Sequence, residues 1–192
     1  GMFRRCFPGV IVYGTLKDQF LTWPKDHQID ASIHISYLGK FYLNTDQSFE
    51  RKPYITPDPD MLIKWQTWLE QFPKPWTGIT WRGGIQATQT HLRSIGLDDL
   101  EPIFKGKGTF FDLSYHDSAA EISRWNIDHE TQIVKPPIGV KDYDDTIAFV
   151  SALDKVATVT TTVAHVCGAL GKKASVLVPE VAQWRYAHHC GT

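Results

Sequence analysis

From residue 76 onward the chain alternates short apolar runs with helix-patterned stretches, and this alternation constrains its fold more than any other feature. "TGITW" (77–81), "TFFDLSY" (109–115), "QIV" (132–134), 155–159 and 174–178 read as strands. Between them, 118–125, 142–154 and 161–170 carry apolar residues at helical spacing. Strands this short and this apolar, with helices between them, are the pattern of a parallel sheet covered on both faces. The expected fold class is therefore α/β. Ligands of such sheets bind beyond the carboxyl ends of the strands. The loops to search follow Trp81, Tyr115, Val159 and Val178.

The part before residue 56 reads differently. It holds two β-like runs, Val10-Ile11-Val12-Tyr13 and Ala31-Ser32-Ile33-His34-Ile35, in polar and Pro-containing surroundings. Neither has a helix of its own, so residues 1–55 are expected to be a piece of a larger unit and 56–192 a domain. "TPDPD" (56–60) opens a helix over roughly 58–70, with Leu62, Trp65, Trp68 and Leu69 at helical spacing.

"TVTTTVAHVCGALGKKASVLVP" (158–179) crowds hydroxyls and a histidine between two apolar runs. At about 100° per residue, Val163, Val166, Cys167 and Leu170 share one side of the helix. Thr161, His165 and Gly168 fall opposite. A Thr at 160 or 161 suits an N-cap, and Gly171 suits the C-terminal stop. Two readings stand side by side: the hydroxyls cap the helix and do nothing more, or its amides and His165 hold an anion at the mouth of the sheet.

Charge narrows the classes. Lys and Arg number 20, Asp and Glu 21, so no basic excess points to nucleic acid and any anion site is built locally. Cys6, Cys167 and Cys190 are odd in number, widely spaced and without Cys-x-x-Cys, which fits a reducing, cytoplasmic setting better than a disulfide framework or a zinc site. No apolar run is long enough to span a bilayer. Asp142 and Asp144 satisfy the Asp-x-Asp pattern of metal–diphosphate sites, as does "DPD" at 58–60. Acidic residues ahead of an apolar helix are more simply dipole partners and caps, with Asp145 the expected cap. "HHC" (188–190) lacks a distant partner pair and is read as a segment without chemistry. No metal is expected.

The stretch "DDTIAFVSALDKVATVTTTVAHVCGALGKKASVLVPEVAQWRY" (144–186) resembles the carboxy-terminal half of glycosyltransferase family 9, the ADP-heptose–lipopolysaccharide heptosyltransferases. It is most similar to the related domains linked to tetratricopeptide repeats in bacteria. The shared pattern runs from an Asp-Thr helix start through Leu-Asp, a hydroxyl-rich turn with Ala-His, Gly-Ala-Leu-Gly-Lys and Val-x-Pro to Trp-Arg. "GITWRGGIQATQTHLRSIGLDDLEPIF" (78–104) resembles the family's first strand and donor loop. The likeness covers roughly residues 50–190.

The resemblance implies a GT-B build of two Rossmann-like domains, of which this chain carries the second, nucleotide-sugar domain, ending short of the family's closing helix, and the end of the first, acceptor-side domain. It implies metal-independent, inverting glycosyl transfer from a nucleotide-diphosphate sugar to a saccharide or protein acceptor. The general base would come from a complementary amino-terminal domain, and no cofactor is involved. The enzyme would be cytoplasmic, at the inner face of the membrane. Arg93, Thr161, Thr162 and His165 match the donor-phosphate residues, and Arg82, Thr160, Trp184 and Arg185 are neighbours of that site. Thr160 stands where the family has a sugar-contacting Asp, and Ser114 and His116 stand where it has Gln and Gly. Two rival readings remain: a non-catalytic nucleotide-sugar binding module or degenerate fragment, and a sugar-nucleotide epimerase of the same build.

Overall fold

A computed structural model describes residues 1–15, 20–49, 52–85, 90–137, 142–180 and Tyr186. The chain forms two compact units, one of Gly1 and Phe3–Lys52, the other of Met2 and Pro53–Thr192. The short helix α1 (Met2–Cys6) opens the chain, and the first unit carries α2 (Ile35–Tyr42). None of its described residues is buried; Phe20 is almost fully exposed, and Ile35 and Tyr42 are largely so. The β-like runs at 10–13 and 31–35 are not strands. A strand needs a neighbour to pair with, and none forms among the described residues of this unit. The His34 ring instead accepts the Ser36 amide and turns Ile35 into the start of α2.

The second unit begins with α3 (Pro59–Leu69), whose start is fixed by Asp58 accepting the amides of Asp60 and Met61 and by Pro59 in the first turn. There follow β1 (Trp76–Thr80), α4 (Glu101–Phe104), β2 (Thr109–Asp112), α5 (Ala119–Asp128) and β3 (Ile133–Val134). The unit continues with α6 (Tyr143–Ala152), β4 (Lys155–Val159), α7 (Thr162–Leu170) and β5 (Ala174–Leu177). All five strands are parallel, in the order β3-β2-β1-β4-β5, which makes this a Rossmann-like α/β sheet.

Every residue of β1 and β2 is buried. Phe110 and Phe111 face opposite sides, as the two-residue period of a strand requires. Phe110 joins Phe104 of α4 and Ile122 and Trp125 of α5 in one layer. Phe111 meets Trp68 at the end of α3, Phe72 and Phe149 of α6 in the other, with ring centroids 5.3–5.8 Å apart. Helices thus cover both faces. Strand β2 ends at Asp112, three residues before the end expected from its sequence, because the Asp112 carboxylate accepts the Ser114 amide at 2.7 Å and turns the chain. Helix α6 is capped by Asp142, which accepts the amides of Asp144 and Asp145, and not by Asp145. The carboxylate of Asp145 accepts the Trp65 indole N–H at 2.7 Å and so ties α6 to α3. Among the described residues no helix is long and apolar enough to cross a membrane.

Candidate functional site

In the order β3-β2-β1-β4-β5 the chain leaves β1 toward one side of the sheet and later returns to its other side at β4. The crevice beyond β1 and β4 is therefore the switch point at which open α/β sheets bind ligands. Four hydroxyls and one arginine organise it. Thr80 and Thr158, paired in register, put their Oγ1 atoms 2.6 Å apart, and Thr158 Oγ1 lies 3.1 Å from Thr161 Oγ1. One proton arrangement satisfies the whole chain. Thr80 and Thr161 donate to Thr158, Thr158 donates to the Val159 carbonyl, and Thr161 accepts the Val163 amide at 3.2 Å.

Arg93 crosses from the loop after β1. Its Nη2 donates to the Thr160 carbonyl and its Nε reaches Thr160 Oγ1 at 3.4 Å. Beneath it the Gly83 amide donates to Ser94 Oγ, and the Trp81 carbonyl accepts the Ile95 amide. Gly83 is there because nothing larger fits. A Cβ would sit 2.7 Å from the Arg93 carbonyl oxygen and 3.3 Å from Thr161 Cγ2. The loops after β1 and β4 therefore meet at the carboxyl end of the sheet.

The threonines divide the work differently from the helical-wheel expectation. Thr161 is the N-cap, with extended backbone that turns its hydroxyl inward, and it is buried; it does not share an outward face with His165. Thr160 is buried as well. Thr162 and His165 are exposed, and the His165 Nε2 lies 3.3 Å from the Tyr186 hydroxyl. Gly171 closes α7 in the left-handed conformation, φ 66°, as expected. Trp184 and Arg185 lie outside the described residues, as does 188–190.

The rim above β2 carries groups that the sequence reading had not assembled. Asp112, with no side-chain exposure, accepts the Ser118 hydroxyl, while Lys135 Nζ donates to Ser118 Oγ at 3.0 Å and sits 3.8 Å from Asp112 Oδ2. This anchor pins the start of α5. Three residues on, Glu121 Oε2 accepts the Arg82 Nε–H at 3.0 Å and pairs with its Nη2 at the same distance as an ion pair. The Tyr115 hydroxyl donates to the Gly84 carbonyl and joins the loops after β1 and β2. Ser114 Oγ and His116 Nε2 are buried there with no hydrogen-bond partner. The one signal in sequence for this cluster is an Asp closing an apolar strand, "TFFD".

A cavity of about 480 Å³ opens at the opposite, amino end of the sheet, lined by Pro53, Ile55, Asp154, Gly171, Lys172 and Lys173. Its chemistry is structural. Lys172 Nζ donates to the Ser151 and Leu153 carbonyls that end α6, and burial lowers its pKa.

The fold and the rim together define a Rossmann-like α/β domain whose switch point is held by buried threonine hydroxyls and the Arg93 guanidinium. No protein-family model matches this sequence, and no curated protein matches it significantly.

Proposed function

We propose that the second unit is the nucleotide-diphosphate-sugar binding domain of a metal-independent, inverting glycosyltransferase of GT-B build. The observation that carries the reading is the meeting of Arg93 with the start of α7 across the switch point. The start of α7 offers the positive end of its dipole to a phosphate, while its Val163 and Ala164 amides are taken by the Thr161 cap. Arg93 supplies a planar donor fork, and the exposed Thr162 and His165 complete the donor side. Such groups stabilise the departing diphosphate as its charge grows. The unpartnered Ser114 and His116 atoms suit the nucleoside. Transfer to a saccharide or protein acceptor takes its base from an acceptor-side domain, of which residues 1–55 are the closing part. The reaction belongs in the cytoplasm, at the inner face of the membrane.

A non-catalytic nucleotide-sugar binding module is the second reading. It is favoured by the fact that both Arg82 and Arg93 already hold intramolecular partners. Calorimetric titration with ADP, GDP and UDP tests the binding claim common to both readings. At least one should bind, and Arg93→Gln should weaken it roughly ten-fold or more with the circular dichroism spectrum unchanged. No binding of any of the three, or indifference to Arg93→Gln, overturns the assignment. Sugar transfer after addition of an acceptor-side domain then separates the enzyme from the binding module.

A further inference from the structure

Arg82 stands one residue before Gly83, which packs against Arg93, Val159 and Thr161 at the switch point. Its guanidinium is turned instead to Glu121, in the first turn of α5. Both side chains keep access to water, 49% for Arg82 and 27% for Glu121. The Asp112–Ser118–Lys135 anchor sits just ahead of Glu121, so the carboxylate is held on a fixed helix start while Arg82 is on a loop.

The form of the pair matters. Only Nε donates to Glu121, on Oε2, with Nη2 3.0 Å from the same oxygen as an ion-pair contact, so the pair does not use the two parallel bonds that an arginine fork can make. A phosphate presents two non-bridging oxygens at the fork's spacing and more negative charge. An exposed carboxylate–guanidinium pair is also weak, because water screens it. Glu121 therefore resembles a placeholder that a phosphate can displace, more than a structural strut.

We propose that Glu121 is a positioning residue that competes with the diphosphate for Arg82 and so sets how tightly the cleft holds phosphorylated ligands. With the ligand absent the carboxylate parks the guanidinium on α5. When the diphosphate arrives, Arg82 exchanges one oxygen of Glu121 for two of the phosphate, and Glu121 returns to water. This rests on the donor-site reading above and adds the residue that regulates it.

The test is calorimetric titration of the full chain with inorganic pyrophosphate and with ADP, for the unaltered protein, Glu121→Gln, Arg82→Gln, Arg93→Gln and the Glu121→Gln/Arg82→Gln pair. Glu121→Gln should tighten both ligands about two- to five-fold, the range that an exposed ion pair can supply. The gain should shrink at high salt and vanish when Arg82 is already Gln, an outcome that a purely structural role for Glu121 does not produce. Glu121→Ala, checked by circular dichroism, should give the same tightening. If the unaltered protein binds and Arg93→Gln weakens it, but Glu121→Gln and Glu121→Ala leave affinity unchanged or lower it, the competition is wrong and the donor-site reading stands. Tightening that persists without Arg82 also overturns it, since the effect is then one of general field. If neither pyrophosphate nor ADP binds any variant, the donor-site reading falls and this inference falls with it.

Discussion

Thr80 and Thr158 lie seventy-eight residues apart and meet hydroxyl to hydroxyl, 2.6 Å apart, where β1 and β4 run side by side. The contact joins the two strands whose loops form the crevice. It also passes on to Thr161, the cap of α7, so the helix start is held from within the sheet.

Thr158→Val keeps the side-chain shape and removes the hub of this chain. Thr158 has no exposure, so water cannot replace the lost partner, and the Thr80 and Thr161 hydroxyls are left without their acceptor. Loss of about 1–3 kcal/mol is expected in urea denaturation, the range for leaving buried polar groups unpaired. Thr80→Val combined with Thr158→Val should cost less than the sum of the two single changes, because fewer orphaned hydroxyls remain. Strict additivity would show that the network is not coupled.

His165→Ala probes the other side of the same helix. The ring is exposed and leaves no core cavity when removed, so the melting temperature should hardly move. Nucleotide diphosphate affinity should fall roughly ten-fold, the equivalent of one charge-assisted bond. An early melt with normal binding would instead make His165 a structural residue.

The sheet was legible from sequence because its inner strands β1, β2 and β4 are almost wholly buried and its helices begin and end on readable signals. The run 155–159 is a strand at the expected limits, and Asp58 and Gly171 mark helix ends where expected. The site was legible in part. Arg93 and the start of α7 were expected to meet, and they do. The burial of Thr161 was missed because a helical wheel assigns directions only to residues with helical backbone, and an N-cap is not one of them. Glu121 was invisible for another reason. Its partner is thirty-nine residues away, and no local spacing announces a contact between a loop after one strand and the helix after another. The β-like runs at 10–13 and 31–35 failed because a strand's propensity is realised only beside another strand.

Cys167 gives the fold a sign-definite pH dependence. Burial on the inner face of α7 raises its pKa from an ordinary 9.0 to about 11, with the nearby Lys172 charge pulling it partly back. Above pH 9 the unfolded chain loses this proton before the folded one, so the folded state binds more protons and stability falls as pH rises toward 11. The integrated loss is on the order of 3 kcal/mol. Lys172 acts in the opposite sense: burial lowers its pKa, so the penalty of its buried charge is relieved as pH climbs from that lowered value to its unfolded one. Denaturant titrations should therefore show a fall between pH 9 and 11 that becomes shallower in Cys167→Ala, after the constant cost of the smaller side chain is subtracted. An identical alkaline slope in the two proteins would remove the thiol as its source.

Gly83→Ala tests whether the two loops need to touch for the cleft to work. The added methyl would lie 2.7 Å from the Arg93 carbonyl oxygen and 3.3 Å from Val159 Cγ2 and Thr161 Cγ2. A backbone oxygen cannot rotate away as a side chain can, so the loop carrying Arg93 has to lift from the start of α7. Overpacking of this kind costs about 1–3 kcal/mol, to be read from urea denaturation. The lift would also pull the guanidinium off Thr160 and away from the mouth of α7, so ADP affinity should fall beyond what the stability loss explains. An ADP affinity unchanged in Gly83→Ala would mean that the loops work independently. Affinity measured beside stability in Gly83→Ala, Arg93→Gln and their combination decides the matter. If the glycine acts by holding Arg93 in place, the double change should bind no worse than Arg93→Gln alone.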